Sequence, residues 1–214
     1  MGGDSYKMKR LMKDLIEILK GIVPAILIAW VLTTFLIANA VVPTASMEPT
    51  IMTGSRMIGN RLSYKFGRTP ERGDVVIFIY GYRCNSCKTQ YQKRDEGVCP
   101  TCGRNDRKNL TVHYVKRAIG LPGDTVELIP DGNGVGHVAV NGETINEPYL
   151  NEAMKVDGYL KFEVPEDSYF FMGDNRNNSY DSRFWDDHFI KEDRIIAKAI
   201  FQYWKGFKTF KHYS

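Results

Sequence analysis

The sequence predicts a mostly β fold, in which a single N-terminal transmembrane helix precedes an antiparallel β domain with a small four-cysteine insert. An uncharged apolar run of 21 residues, a series of short strand-like segments separated by turn residues, and four cysteines in the pattern C-x2-C-x11-C-x2-C support this prediction. The chain has 214 residues, 43% of them hydrophobic and 25% charged, as in ordinary globular proteins. Its net charge of +4 suits a membrane surface and is too small to indicate binding of nucleic acid.

The apolar run extends from Ile22 to Val42. As a helix it would measure about 31 Å, enough to cross a hydrocarbon core. Basic residues precede the run, so the positive-inside rule predicts a cytoplasmic N-terminus. We therefore expect a single-pass protein of the cytoplasmic (plasma) membrane, with a cytoplasmic basic segment at 1–20, a transmembrane anchor at 21–42 and an extracytoplasmic domain at 43–214.

A cleaved signal peptide is the alternative to a permanent anchor. The segment Ala38-Asn39-Ala40 has the A-x-A form of a signal peptide cleavage site. The apolar part of a secretory signal is usually about 7 to 15 residues long, shorter than this run. The length therefore favours the anchor.

Strands are predicted after the anchor wherever β-branched and aromatic residues form short runs between turn residues. The dipeptide Asn141-Gly142 is typical of a tight hairpin turn. Helix signals after the anchor are weak, apart from a short turn at 192–195, which favours an antiparallel β domain. The predicted strands are 75–78, 114–119, 125–129, 137–140, 143–145, 169–172 and 195–203.

Ser46 lies in the segment P-T-A-S-M-E-P-T, about four residues after the apolar run. A hydroxyl nucleophile at this place could reach bonds in other membrane-inserted chains. No histidine lies in a segment typical of a Ser-His-Asp triad, although triads assemble from distant positions. The four histidines are His113, His137, His188 and His212.

Lys116 is a candidate base, because Tyr114, Val115, Ala118 and Ile119 flank it in a strand that otherwise belongs to a core. A lysine can act as a base only when it is neutral, and its ordinary pKa is about 10.4. Burial against apolar groups would have to lower that pKa by several units. In isolation, a lysine in such a strand is more often an edge residue whose charged end reaches water.

The motifs together resemble the type I signal peptidases, membrane-anchored Ser/Lys proteases that remove signal peptides from exported proteins. In chain order, the match consists of the apolar anchor, P-T-A-S-M-E-P-T from Pro43, R-G-D-V-V-I-F from Arg72, Y-V-K-R-A-I-G-L-P-G-D from Tyr114, and M-G-D-N-R-N-N-S-Y-D-S-R-F-W from Met172. The resemblance covers most of the chain and implies an antiparallel β catalytic domain.

The resemblance also implies the catalytic residues. Ser46 would be the nucleophile and Lys116 the general base, held by a hydrogen bond from Ser179. The Ser46 backbone N–H and the Thr44 hydroxyl would stabilise the oxyanion, although the family often has serine or glycine at position 44. The family cuts preproteins after small residues in an A-x-A pattern, which implies shallow substrate pockets.

Charged residues near these positions would support the site in such a family member. The resemblance makes Asp181 and Arg183 an ion pair, and it places Asp174 near Arg117. On composition alone, the segment 173–178 is a polar loop rich in turn formers. Asp186 stands where the family usually has glycine, which puts the local turn in question.

The four cysteines predict a tetrahedral zinc ribbon in an insert at 80–112, with Cys84, Cys87, Cys99 and Cys102 as ligands. Such an insert is not a standard part of the signal peptidase pattern. Disulfides are the alternative, because oxidation is common outside the membrane, and free thiols are a third state. Either bonded state would be structural, since four cysteines leave zinc no open position for water.

The expected partners are preprotein signal peptides and the lipid bilayer, with no cofactor for catalysis. The basic residues of the insert would be a solvated face or would touch anionic lipid or a secretion translocon; they are Lys88, Lys93, Arg94, Arg104, Arg107 and Lys108.

Two rival functions remain. A membrane-tethered zinc-ribbon interaction protein with an inactive protease-like domain is disfavoured, because Ser46, Lys116 and Ser179 are all present. A cytosolic, self-cleaving Ser/Lys protease of the repressor type is disfavoured by the apolar run.

Overall fold

The computed structural model describes residues 3–92, 98–104, 110–211 and 213. The chain divides into two units, of which the first ends at Ile37 and the second begins at Ala38. The described part is mostly antiparallel β with one long N-terminal helix, which confirms the predicted fold class. Of the basic insert residues considered above, Lys93, Arg94, Arg107 and Lys108 lie outside the described residues, as does His212.

Helix α1 spans Gly3–Val31 and continues as a π-helical turn at Leu32–Leu36. It is the one helix in the described ranges that is long and apolar enough to cross a membrane, with a candidate span of Arg10–Leu36. The predicted basic segment at 1–20 is therefore continuous with the apolar helix. The Thr33 hydroxyl donates to the carbonyl of Ala29 at 2.8 Å, so this polar side chain is satisfied within the helix.

The apolar run leaves the helix before Val42, where the sequence predicts the end of the anchor. The last part of the run forms strand β1, Ile37–Val41. Ala38 and Val42 are buried in the core of the β domain. Burial of these side chains explains why the chain extends here, although its hydrophobicity alone also fits a helix. The A-x-A segment therefore lies within a strand of the sheet.

The strands of the described residues form two sheets. The larger has the order β1-β2-β13-β3-β5-β11-β12, with β4 on β3 and β14 on β13, and the smaller has the order β10-β6-β7-β8, with β9 on β7. After β1, the strands are β2 (Arg56–Asn60), β3 (Val75–Arg83), β4 (Gln90–Tyr91), β5 (Leu110–Gly120), β6 (Thr125–Pro130), β7 (Val135–Val140), β8 (Glu143–Thr144), β9 (Met154–Lys155), β10 (Leu160–Glu163), β11 (Ser168–Met172), β12 (Ile190–Lys191), β13 (Ile195–Trp204) and β14 (Lys208–Thr209).

Apolar side chains from both faces of the central strands form the core, so β3 and β11 are buried at consecutive positions. Between β3 and β11, the rings of Phe78 and Phe171 stack with centroids 4.4 Å apart, and Trp185 packs edge-on against Phe78. All three side chains are almost completely buried. Truncating one of them to alanine would cost about 3–5 kcal/mol. This cluster fixes β5, which lies between β3 and β11 and carries Lys116.

The hairpin of β3 and β5 is longer than the sequence predicts. Its register runs from Val75 opposite Arg117 to Arg83 opposite Leu110, with a bulge between Ile79 and Gly81. The strands therefore extend into the predicted insert at 80–112. The four-cysteine segment grows from the far end of this hairpin, and the core is not interrupted.

Candidate active site

Ser46 lies in a short 3-10 turn, Ala45–Met47. The Met47 side chain is completely buried and anchors the turn in the apolar core. On the opposite side, the Asn175 backbone N–H donates to the Ser46 carbonyl at 3.1 Å, and the Asn175 side chain donates to the Ala45 carbonyl at 3.0 Å. The core and the 173–178 loop therefore hold the Ser46 turn from both sides.

Lys116 reaches Ser46 from β5, where it lies opposite Val76 of β3. Its side chain enters the turn region, and a hydrogen bond joins Lys116 Nζ to Ser46 Oγ. Lys116 is only 4% exposed. Burial lowers its pKa to about 8, although the carboxylates of Asp181 and Asp174 act to raise that pKa. A substantial neutral fraction is therefore available near neutral pH.

Thr44 precedes the turn in an extended conformation. Its hydroxyl lies 3.3 Å from Ser46 Oγ, so both oxygens face the same space. A hydroxyl at this place can donate to an oxygen that develops charge beside Ser46.

Ser179 is buried near Ser46, at the end of the 3-10 turn Arg176–Asn178. The sequence-based expectation of a hydrogen bond from Ser179 to Lys116 is wrong for this structure, because Ser179 Oγ has no hydrogen-bond partner among the described residues. The Lys116 amine is engaged with Ser46 instead. A buried hydroxyl without a partner is costly and is often found at functional sites.

Gly173 allows the Ser46 turn and the Ser179 loop to approach each other. A Cβ at Gly173 would lie 2.2 Å from Ser179 Oγ and 2.3 Å from the Ser46 carbonyl oxygen. Both distances are too short for any side chain. Neither Gly173 nor Asn175 was assigned a role from sequence; a glycine after a buried strand was the available signal for close backbone approach.

Two buried ion pairs border the site, as the family resemblance implies. Asp181 accepts from Arg183 through both carboxylate oxygens, at 2.8 and 2.9 Å, and also accepts the Gly173 backbone N–H at 2.9 Å. Arg117, the neighbour of Lys116, pairs with Asp174 at 2.6 Å. The Arg117–Asp174 pair ties the loop after β11 to β5, and the Asp181–Arg183 pair holds that loop together, so both orient the residues around Ser46.

Asp186, which stands where the family usually has glycine, does not adopt a left-handed backbone conformation. The turn after Trp185 therefore has no need of glycine.

A cleft of about 730 Å³ contains Ser46 and Lys116 and lies between β1 and β5. β11 pairs with β5 only between Arg117 and Gly120. The edge of β5 that faces away from β3 therefore has no strand partner from 110 to 116 within the described ranges. An extended peptide could pair with such an edge and bring one of its carbonyls to Ser46.

The four cysteines form a second candidate site at the end of the β3–β5 hairpin. Their sulfur atoms all lie within 4.8 Å of one another. The separations are 3.7 Å between Cys84 and Cys102 and 3.6 Å between Cys87 and Cys99. Sulfurs bound to one tetrahedral zinc ion lie about 3.8 Å apart, given Zn–S bonds of about 2.3 Å, whereas a disulfide measures about 2.05 Å. The donor set fits a closed structural zinc site.

The two cysteine turns have the same backbone form. The N–H of Lys88 donates to the carbonyl of Cys84 at 3.0 Å, and that of Gly103 donates to Cys99 at 2.9 Å. Both donors have positive φ, 63° at Lys88 and 66° at Gly103. Glycine is the usual residue with positive φ, so Gly103 suits this conformation, whereas Lys88 adopts it without that advantage.

Comparison with known proteins identifies the family of this chain. The family model described as "Signal peptidase, peptidase S26" matches residues 15–204. "Probable signal peptidase I-2" of Synechocystis is 34% identical over 88% of this chain and 73% of the relative, and "Signal peptidase I P" of Bacillus subtilis subsp. natto is 33% identical over 91% and 92%. The chain therefore belongs to the peptidase S26 family of signal peptidases and is a peptidase.

A signal peptidase I from Enterococcus faecalis V583 has a solved structure. It is 26% identical and covers 61% of this chain and 97% of its own, with a TM-score of 0.39, which is too low to bear on the fold.

Proposed function

We propose that this protein is a membrane-bound serine endopeptidase that removes signal peptides from exported preproteins through a Ser46/Lys116 dyad. The observation that carries the proposal is the hydrogen bond between Lys116 Nζ and Ser46 Oγ inside a buried site. Lysine in such a place can be neutral and can accept a proton from serine.

In the proposed reaction, neutral Lys116 takes the Ser46 hydroxyl proton while the oxygen attacks the scissile carbonyl. The protonated lysine then gives this proton to the leaving amine, and an acyl-enzyme forms on Ser46. Water activated by the same amine hydrolyses the acyl-enzyme. The pKa of Lys116, lowered by burial to about 8, lies close enough to neutral pH for both transfers.

The oxyanion would be stabilised by the Ser46 backbone N–H and the Thr44 hydroxyl. The 3.3 Å separation of the Thr44 and Ser46 hydroxyl oxygens supports the role of Thr44. One well-placed donor is worth about 3–4 kcal/mol of transition-state stabilisation. Ser179 would act as a positioning residue, because its buried and unpartnered hydroxyl lies beside Gly173, next to the Ser46 turn.

The substrate would bind as an extended strand between β1 and the open edge of β5. Main-chain hydrogen bonds would then position the peptide, while side-chain pockets choose among sequences. Small residues such as Ala38, Ala40 and Thr44 line the cleft beside larger ones. We propose that the cut follows small residues in an A-x-A pattern, because larger side chains would clash near Ser46.

The four cysteines would hold one structural zinc ion. Cys84, Cys87, Cys99 and Cys102 would supply all four ligands, and the metal would keep the end of the β3–β5 hairpin folded. A site closed by four thiolates takes no part in the proteolytic steps.

We further propose that α1 anchors the protein in the cytoplasmic membrane, with the N-terminus in the cytoplasm and the β domain outside. The candidate span and the basic residues before it support this orientation. The bilayer and preprotein signal peptides would then be the partners, with a translocon as a further candidate.

The proposal is tested by incubating the purified full-length protein in detergent with a preprotein that carries an A-x-A site. The wild type should cleave it after the second alanine. Ser46→Ala and Lys116→Ala should each abolish cleavage, with unchanged circular dichroism. Cleavage by Lys116→Ala at the wild-type rate would reject lysine as the base. No cleavage by the wild type would favour the inactive, tethered interaction protein.

A further inference from the structure

The cleft extends from the Ser46 site to the base of the four-cysteine insert. Arg83, Gln90, Leu110 and Thr111 line this far end. All four residues belong to the strands that lead into or out of the insert. The insert therefore contributes to the wall of the cleft, which is a role that the signal peptidase motifs do not assign to it.

Arg83 faces the same side of the sheet as Lys116. In the β3–β5 hairpin Arg83 lies opposite Leu110, and in the β3–β4 pair it lies opposite Gln90. Opposite residues on antiparallel strands project from the same face. Leu110 lies six positions before Lys116 on β5, an even spacing, so these two side chains also share a face.

Gln90 is tied to the site through Tyr114. The Tyr114 hydroxyl donates to Gln90 Oε1 at 3.2 Å, and the Tyr114 ring centroid lies 5.6 Å from Lys116 Nζ. The strand that carries Gln90 is only two residues long, and the turn before it is the first cysteine turn, closed by a hydrogen bond from Cys84 N–H to the Thr89 carbonyl at 3.0 Å. The cysteine cluster therefore positions Arg83 and Gln90 at the mouth of the cleft.

The charge of Arg83 has no anionic partner in the described part of the chain. Its guanidinium forms no ion pair with those residues, and its side chain is exposed. Other arginines near the site, such as Arg117 and Arg183, are buried in carboxylate pairs. An exposed guanidinium at the end of a substrate cleft can bind a carboxylate.

We propose that Arg83 and Gln90 form a remote subsite that favours an acidic substrate side chain at the seventh position before the cut. This inference rests on the proposed function, in which the residues before the cut occupy the cleft that leads to Ser46. From Lys116 to Leu110, β5 covers about 20 Å, the length of about six extended residues. If the first residue before the cut lies beside Lys116, six residue steps place the seventh residue before the cut beside Leu110 and Arg83, with its side chain on the same face.

The test uses a series of preproteins that differ only in having Asp, Asn or Lys at the seventh position before the cut, which is four residues before the A-x-A site. With the wild type, kcat/KM should be several-fold higher for Asp than for Lys, up to about fivefold, as for exposed ion pairs. The difference should lie in KM, because the contact is made equally in the ground state and the transition state. High salt should reduce the difference between the Asp and Lys preproteins, because it screens the charge of Arg83.

Arg83→Glu should reverse the preference, and Arg83→Gln should remove it while keeping a side chain of similar polarity. Lys88→Glu is the matched control. It makes the same charge change on the first cysteine turn, but Lys88 does not line the cleft. The ratio of kcat/KM for the Asp preprotein to kcat/KM for the Lys preprotein should be the same in Lys88→Glu as in the wild type.

The outcomes separate the subsite from the proposed function. Suppose that the wild type cleaves all three preproteins, and that its ratio of kcat/KM for the Asp preprotein to kcat/KM for the Lys preprotein equals that of Arg83→Gln. The subsite is then rejected and the peptidase proposal stands. If Arg83→Glu does not fold, as judged by circular dichroism, Arg83→Gln alone decides the question. If the wild type cleaves none of them, the proposed function falls and the subsite falls with it.

Discussion

The proposed site depends on burying the amine of Lys116, which is unfavourable for folding when that amine is charged. This amine is almost completely enclosed, and burial brings its pKa from 10.5 to about 8. Such a shift corresponds to about 3 kcal/mol of lost stability when the lysine is protonated in the folded state. The protein thus keeps a destabilising residue at the place where the proposed chemistry needs a neutral amine.

Replacing Lys116 with methionine should therefore stabilise the fold while it abolishes cleavage. Removing the buried charge should add about 3 kcal/mol to the free energy of unfolding, and losing the hydrogen bond to Ser46 should subtract about 1 kcal/mol. The free energy of unfolding should therefore rise by about 2 kcal/mol at pH 7. Because the folded pKa lies below the unfolded one, the penalty is complete below about pH 8 and is lost as the pH rises towards 10.5. The gain should therefore shrink at alkaline pH.

Urea unfolding of both proteins at neutral and alkaline pH measures this difference. Lys198→Met is a suitable control, because Lys198 pairs with the buried carboxylate of Asp74 at 2.5 Å and its loss should destabilise the fold. A Lys116→Met variant that is less stable than the wild type at neutral pH would contradict the account of Lys116.

The sequence predicted some of these residues and not others. Ser46 and Lys116 stand in distinctive motifs, so their meeting could be expected although 70 positions separate them. The unpartnered state of Ser179 could not be predicted, because it depends on a side-chain torsion. Gly173 was also missed, since the need for glycine arises only from the closeness of two backbone segments.

At the scale of elements, the cysteine insert is the clearest case in which spacing predicts geometry. Two C-x2-C turns bring all four sulfurs together, and both turns place an N–H against the carbonyl of their first cysteine. Such turns orient backbone donors towards the thiolates. The residue types could not decide between zinc and disulfides, whereas sulfur separations of 3.6 and 3.7 Å favour zinc.

Metal analysis of protein prepared under reducing conditions should find about one zinc per chain. Cys99→Ser, which changes a buried ligand, should lose the metal and the folded end of the hairpin. Ser86→Ala is a control, because it changes the same segment without touching a thiol. Absence of both metal and free thiols would indicate disulfides, and absence of metal with four reactive thiols would indicate the reduced state.

Strand β1 was missed because its sequence reads equally well as membrane helix. Hydrophobicity decides that the segment is buried but not whether it is buried in lipid or in a sheet. Ala38 and Val42 pack in the core of the β domain, and this packing favours the strand over the helix. The core residues that they contact belong to strands far along the chain, so the segment alone does not reveal the outcome. The strands of the core, such as β3 and β11, were predicted because long runs of β-branched and aromatic residues indicate them directly.

At the scale of the whole molecule, the chain combines an apolar helix with a separate β domain. Length and charge predicted this division, but the exact end of the helix depends on the fold of the domain that follows. A cleaved signal peptide that ends at Ala40 would remove most of β1 from the sheet. The strand therefore gives a structural reason for the N-terminal segment to remain attached.

Peptide tags at the two ends test the proposed orientation. In sealed inside-out membrane vesicles, external protease should remove an N-terminal tag and leave a C-terminal tag intact. Right-side-out vesicles should give the opposite result. The membrane-bound protein should also have its full-length mass, and loss of the first 40 residues would exclude a permanent anchor.

The proposed catalysis depends on an uncharged amine at Lys116, so the pH dependence of kcat/KM is its most direct test. The neutral fraction of a lysine with a pKa of about 8 falls about tenfold for each pH unit well below that value. With a fixed preprotein substrate, log kcat/KM should therefore rise with a slope of about one up to pH 8 and then level off. A flat profile between pH 5 and pH 8 would contradict lysine as the base.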